Sequence, residues 1–393
     1  MHIERITTWP ELEALESQWN TLVGGVPFRT WDWLATWWKY YGHSVDGDDA
    51  QTDSSRDWQL NVLAVYDVVE CETSGTEVTR KLIGVAPWYL DFNPIKGNVL
   101  RWLGDGEVCT DHLSLVCRPE DGQRVAAAIA DALTISHDDW DRLDLAAVDA
   151  DDVVVNHLLT ELEERECVVS RHAADACWSL DLPTTWDDYL AGISKSHRKQ
   201  LRQLERRVLE SDRVQWHPVQ TTAELDAAWT VLVDLHQRRR KSLGEPGCFA
   251  SRPFYEFHHE VVARLLARGE LRMSWLALDG RPAAAEYHLA GGRATYAYQG
   301  GVDPDRLTDE PGRLSTILCL KQAIEEGHQQ LDFLRGDEPY KAHWRATPRA
   351  TYDYRVIPNR RLARLRGRVW NIADALTDLA RQGAQLVSFA SGT

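Results

Sequence analysis

No stretch of this 393-residue sequence approaches the roughly 18 uninterrupted apolar residues that a membrane helix needs. Its start, MHIERITTWP, lacks the basic-then-apolar layout of a secretory signal. Cysteine is sparse and scattered: Cys71, Cys109, Cys117, Cys167, Cys177, Cys248 and Cys319, odd in number and without a CxxC pair. That excludes a disulfide framework or a CxxC-type zinc site and points to reduced thiols in the cytoplasm. Basic residues are the minority, 44 against 60 acidic ones, for a net charge of −16. A broad nucleic-acid surface is excluded, because neutralising phosphates needs a cationic face. GxSxG, P-loop, GxGxxG and HExxH motifs are all missing. The histidines His112, His236 and His288 stand alone, and His258-His259-Glu260 lacks a partner one turn on, so no metal site is expected. What is present is 44% hydrophobic and 26% charged residues, a globular composition. The length suits two domains rather than one. Seventeen tryptophans, among them Trp31, Trp33, Trp37 and Trp38 in one segment, read as core or as a sugar-stacking surface.

Periodicity orders the elements. Helices are expected between Trp9 and Tyr41, followed by a polar Asp- and Ser-rich insert, HSVDGDDAQTDSSRD. A long hairpin comes next, Leu60–Val69 and Lys81–Leu90, then strands at Val99–Leu103 and His112–Val116. A helix at Asp121–Ile135, a strand at Asp141–Val148, a helix at Val153–Arg165 and a strand within Cys167–Leu182 close the first half. After a charged helical block at Thr185–Ser211 and helices at Thr222–Leu243 and Phe254–Arg268, the order recurs. It runs through a hairpin turning at Asp279-Gly280, a strand at Arg293–Gly300, a helix from Pro311 to Glu326 and strands at Gln330–Leu334 and Thr351–Ile357. RLDLAAVD (Arg142–Asp149) aligns with QLDFLRGD (Gln330–Asp337) without a gap, placing Asp144 over Asp332 and Asp149 over Asp337. We read an internal duplication of a mixed α/β (α+β) fold, with domains at 1–182 and 183–357 and a basic amphipathic tail at 358–393. The second copy is the better furnished with polar groups.

Candidate chemistry concentrates there. Asp332–Trp344 is a buried-type strand opening into Arg335-Gly336-Asp337-Glu338-Pro339-Tyr340-Lys341, the place where α/β folds put function, although a turn with surface ion pairs gives the same letters. Glu286 interrupts an apolar strand. Desolvation raises such a carboxylate toward general-base range, while an edge position would leave it facing water. Tyr296 and Tyr298 alternate with Ala and so share a face, for substrate or for packing. Gln299-Gly300-Gly301 ends that strand with room for a backbone or ligand to approach. Gly312, Arg313 and Ser315 open a helix whose N-terminus favours phosphate, against which Asp309 and Glu310 stand at the same end. Lys195, Arg198 and Arg202 share one helical face, suited to a polyanion or simply to water. Arg238–Lys241 and Arg355–Arg368 are further basic runs.

The strings ISKSHRKQLRQLERR, PAAAEYHL, TYAYQGGVDP, PGRLSTILCLKQAIEEG and DFLRGDEPYKAHW resemble BioF2-like or CelD-like acetyltransferases of the GNAT superfamily. PFRTWDWLATWWKYYG is similar to the start of the same proteins, and a tandem pair resembles FemAB-type aminoacyltransferases. The resemblance implies tandem GNAT-like domains, the first degenerate, each a mostly antiparallel mixed sheet flanked by helices. It also implies acyl transfer from acetyl-CoA or another acyl-CoA to an amine or hydroxyl of a small-molecule or glycan-precursor acceptor. Polysaccharide-synthesis partners and a position in the cytoplasm, peripheral to the inner membrane face, follow the same likeness; tRNA enters only with FemAB-type chemistry. Glu286 would be the base and Tyr340 the acid, with Asp337 and Lys341 beside them. Gln299, Gly300, Gly312, Arg313 and Ser315 would meet the donor, and Tyr296, Tyr298, Arg335 and Trp344 the acceptor. The usual Gln/Arg-x-x-Gly-x-Gly/Ala phosphate loop is replaced by GGVDPDRLTDEPG, so Lys195, Arg198 or Lys341 would bind the donor's phosphates instead.

Overall fold

The computed structural model describes residues 1–42, 57–70, 78–93 and 97–369. The Asp- and Ser-rich insert, the turn of the first hairpin and the tail beyond 369 lie outside the described residues. In the first half the strands are β1 (His2–Ile6), β2 (Asp57–Leu60), β3 (Val62–Glu70), β4 (Val78–Ala86), β5 (Trp88–Asn93), β6 (Gly97–Trp102), β7 (Val116–Cys117), β8 (Arg142–Asp149), β9 (Val168–Ala173) and β10 (Cys177–Asp181). Its helices are α1 (Trp9–Glu13), α2 (Glu16–Asn20), α3 (Trp31–Tyr41), α4 (Gly122–Ile135) and α5 (Val153–Glu164). The second half carries α6 (Trp186–Gly192), α7 (Lys195–Leu204), α8 (Thr222–Ser242), α9 (Arg252–Ala267), α10 (Pro311–Glu325) and α11 (Pro339–His343). Its strands are β11 (Val214–Pro218), β12 (Leu271–Leu278), β13 (Arg281–Gly291), β14 (Ala294–Val302), β15 (Gln330–Arg335), β16 (Thr347–Arg349) and β17 (Thr351–Ile357).

Local chemistry sets many of these boundaries. The hydroxyl of Thr30 accepts from Trp33 N–H to start α3, Asp152 does the same for α5, and Ser194 for α7. Thr221 and Glu224 form a reciprocal capping box on α8, which satisfies N–H groups the helix cannot. Asp279 and Gly280, at φ 52° and 75°, make the left-handed pair that a two-residue hairpin between β12 and β13 requires. The extended stretch expected at His112–Val116 shrinks to β7, because Cys109 and His112 adopt left-handed φ of 50° and 59°. The charged block at 185–211 breaks at Gly192 into α6 and α7, then ends in a π-helical turn at Glu205–Leu209. Short strands β1, β2, β11 and β16 had too little pattern to be anticipated, and the expected strand Lys81–Leu90 divides at Pro87 into β4 and β5.

Three sheets result, ordered β1-β3-β4-β7, β2-β5-β6-β8-β17-β9 and β11-β12-β13-β14-β15-β10-β16. Each half contains one parallel pair in the same register. Val99, Leu100 and Arg101 pair with Arg142, Leu143 and Asp144; Ala294, Thr295 and Tyr296 pair with Gln330, Leu331 and Asp332. The duplication therefore places Asp144 and Asp332 alike. The left-handed residue that kinks the second strand falls one position earlier in the second copy, at Leu334 rather than opposite Ala147. The halves also exchange strands: β10 inserts between β15 and β16, and β17 between β8 and β9.

The tryptophans settle into the core. Trp31, Trp33, Trp37 and Trp38 are all buried, and α3 lies on α9 with Trp33 edge-on to Phe257 at 5.1 Å. One apolar cluster runs from the first half through α8 and α9 to Tyr287 and Tyr298 on the near face of β13 and β14. A second fills the far face beneath α6, α7 and α10.

Candidate functional site

After Tyr296 and Asp332 the parallel strands β14 and β15 stop pairing. β14 continues to Val302 against β13, while Leu334 and Gly336, at φ 59° and 109°, turn the end of β15 away. The sheet is thus split at the carboxyl end of its parallel pair.

On the α10 face of this split, Glu286 lies opposite Gly300 in the β13–β14 ladder. Its carboxylate accepts from Ser315 Oγ at 2.5 Å and lies 3.3 Å from His288 Nε2. A Cβ on Gly300 would stand 2.9 Å from Glu286 Oε2, so only glycine leaves this carboxylate its place. Gly301 is small for another reason: a Cβ there would meet the backbone nitrogen of His236 in α8 at 2.5 Å.

The start of α10 adds a cation. Arg313 pairs through Nη1 with Glu310, while its Nε and Nη2 are buried without a hydrogen-bond partner. Beside it, desolvation, then His343 and Arg313, lower the pKa of His197 to about 4. The His197 and His343 rings stand 4.0 Å apart. Tyr340 rests edge-on against Phe333 at 5.9 Å. Its hydroxyl pKa is raised by desolvation, then by the Glu338 and Glu286 carboxylates.

Glu286, Gly300, Arg313, Ser315 and Tyr340 are therefore gathered around one split. Lys195 is exposed and Arg198 half-buried at the start of α7, next to His197. Ser315 spends its hydroxyl on Glu286 rather than offering it to a phosphate. The other expected residues go elsewhere. Lys341 is 2% exposed; its Nζ donates to the carbonyls of Leu334, Arg335 and Gly336 at 3.0, 2.7 and 3.0 Å and pairs with Glu338. With its protons committed it holds the loop after β15 and has none for a donor phosphate. Trp344 is buried, its carbonyl accepting from Tyr189. Asp337 accepts from the Trp178 indole at 3.1 Å. Gln299 donates to Cys248 Sγ at 3.4 Å on the α8 side.

Tyr296 and Tyr298 do share a face, and it is the face turned to the first half, where both meet Phe28. The Tyr298 hydroxyl donates to Val108 O at 2.7 Å, and the ring is core. Arg335 is likewise taken up by Asp111 and by the Thr110 carbonyl at 2.9 Å. At this seam His112 Nδ1 lies 2.8 Å from Asp149 and Nε2 lies 3.4 Å from Asp332. Burial opposes the charge on this imidazole, but Asp149 and then Asp332 outweigh it and raise the pKa to about 10. The partners of His112 are 37 and 220 residues away in sequence, so spacing could not reveal them. His197 and His343 lay inside strings already singled out, but only the fold stacks them.

Residues 195–342 match the family described as Acetyltransferase (GNAT) domain. No curated protein matches the chain in sequence. Among solved structures, FemX is similar over 93% of this chain and 99% of its own, at 11% identity and a TM-score of 0.60. A conserved protein of unknown function from Bacteroides thetaiotaomicron VPI-5482 covers 90% and 99%, at 10% identity and 0.52. A tandem GNAT protein from the clavulanic acid biosynthesis pathway covers 90% and 98%, at 11% identity and 0.41. The chain shares the fold of FemX, and within it residues 195–342 match a GNAT acetyltransferase domain. Among the described residues no helix is long and apolar enough to cross a membrane.

Proposed function

We propose that the chain moves an acyl group from an acyl-CoA or similar thioester to an amine or hydroxyl of an amino sugar, polysaccharide precursor or related metabolite. The observation that carries this reading is the Glu286 carboxylate, fixed by Ser315 and His288 beside the split in the sheet. In that role Glu286 takes the proton of the attacking amine or hydroxyl. The β14 backbone near Tyr298–Gly300 polarises the carbonyl oxygen, and Tyr340 returns a proton to the departing thiolate. The N-terminus of α10 with Arg313 is the natural berth for the donor's phosphates, reinforced by Lys195 and Arg198 from α7. The string likenesses extend the reading to a cytoplasmic enzyme of exopolysaccharide synthesis, working near the membrane's inner face with other proteins of that assembly.

Calorimetry with acetyl-CoA and longer acyl-CoAs tests it: one of them should bind with measurable heat. Glu286→Gln should retain that binding and lose about 10²–10⁴-fold in turnover. Silence with every thioester would remove the reading. A second one, transfer of an aminoacyl group from aminoacyl-tRNA, is supported by the FemX-like fold and the basic face of α7. It requires salt-sensitive tRNA binding in a gel shift, since phosphate contacts release counterions.

A further inference from the structure

We propose that the seam between the two halves holds a divalent metal ion of the zinc type on His112, Asp149 and Cys177, with Asp332 orienting the imidazole from behind. One imidazole nitrogen, one carboxylate oxygen and the Cys177 sulfur all lie within 4.8 Å of one another. A tetrahedral shell with bonds of about 2.0–2.3 Å spaces its ligands by roughly 3.3–3.8 Å, so closure needs the widest separation to contract by up to about an ångström and the His112–Asp149 pair to open by about half of one. Nδ1 is the nitrogen that faces Asp149, at 2.8 Å. Nε2 points the other way, to Asp332 at 3.4 Å, and is buried without a well-formed hydrogen bond. A ligating histidine whose second nitrogen faces a carboxylate is the usual support of a metal-bound imidazole.

The donor set is one imidazole, one carboxylate and one thiol, a mixture suited to zinc rather than to magnesium or calcium. Asp111 is matched by Arg335 and Asp152 by Arg29, and Arg29 and Arg349 also act on Asp149 beside His112. His112 is 9% exposed and Cys177 0%, so an ion here would be held out of bulk solvent. The left-handed backbone of His112 (φ 59°), stabilised by Arg29 Nε donating to its carbonyl at 2.6 Å, is local strain of the sort that accompanies sites. Three protein ligands leave a fourth position for water. The ion would join Asp149 at the end of β8 and His112 in the loop before β7 to β10, the strand passed to the seven-stranded sheet, and so tie the halves where they exchange strands. Binding displaces two protons, one from His112 Nδ1 and one from the Cys177 thiol, and releases both to solvent.

The test is equilibrium dialysis of the metal-stripped full-length protein against Zn²⁺, read by elemental analysis, and titration with Co²⁺, read by the near-ultraviolet thiolate-to-cobalt band. One equivalent per chain is expected, with the cobalt band lost in Cys177→Ser and binding weakened at least tenfold in His112→Gln. Asp332→Asn, which keeps the ligands, should weaken binding about 10–100-fold, and circular dichroism of each variant separates lost metal from lost fold. Less than a tenth of an equivalent in folded wild-type protein would overturn the proposal, and so would a cobalt band that persists in Cys177→Ser.

Discussion

Two lysine and arginine side chains in the second half show how the same charge serves opposite ends. Arg313 keeps two buried nitrogens without partners at the mouth of α10, a donor set that an incoming anion can use. Lys341, on α11 just after β15, is wholly occupied by three carbonyls and Glu338. In sequence both are cations near a Gly and a Pro, and nothing in the letters separates them. The separation comes from the left-handed Leu334 and Gly336, which turn three successive carbonyls toward one point and leave them needing a buried donor. Lys341→Met should therefore act on stability before chemistry. It strands those carbonyls in an apolar setting at a cost of about 3–5 kcal/mol, seen as a lower urea midpoint with an unchanged m-value. A variant of wild-type stability that has lost only donor affinity would instead restore Lys341 to the phosphate site.

At the scale of elements, the long ones announced themselves. Helices α4, α5, α8 and α10 lie within two residues of where 3.6-residue periodicity put them, and the Asp279-Gly280 turn fixed the β12–β13 hairpin. The site was legible in part: Glu286 stood out as a carboxylate in an apolar strand, and the helix opening at Pro311 stood out by its glycine and proline. What could not be read was partnership across distance. Ser315 meets Glu286 from 29 residues away, and Cys177 reaches the seam only because β10 crosses to the other sheet. That crossing has a consequence for the two-domain description. Among the described residues β16 pairs only with β10 in the seven-stranded sheet, and β17 bridges β8 and β9 in the six-stranded one, so either half alone leaves ladder groups unpaired. Expressed separately, 1–183 and 184–393 should each fail to show a cooperative urea transition, whereas the two pieces made together should copurify as one folded pair. A cooperative transition for 184–393 alone would show that the exchange is dispensable.

For the whole molecule, the charge of −16 favours solubility and opposes compactness as pH rises. One buried cluster sharpens that trend. In the first half, Arg101 stands among Asp91, Asp105 and Asp144 at 3.3, 3.8 and 3.7 Å, at the place where the second half has Tyr296 and Asp332. Arg142 also pairs with Asp144, and three carboxylates around two guanidiniums still leave an excess. Asp105 bears it, its pKa raised by desolvation from 3.8 to about 6, against the opposing pull of Arg101 and the Tyr89 hydroxyl. A carboxyl raised on folding binds its proton more tightly in the native state. Its contribution to stability is intact below the unfolded value near 4, falls as pH climbs through the folded value near 6, and stays lost above it. A shift of that size corresponds to roughly 3 kcal/mol. Asp105→Asn removes the titration while keeping an oxygen for Tyr89, so its unfolding free energy should fall less between pH 4.5 and 7.5 than that of the wild type. The gap between the two proteins should therefore change by about 2 kcal/mol between the two pH values, in favour of the variant at pH 7.5. Urea denaturation at the two pH values measures it, and parallel curves would mean that Asp105 is already ionised in the folded protein.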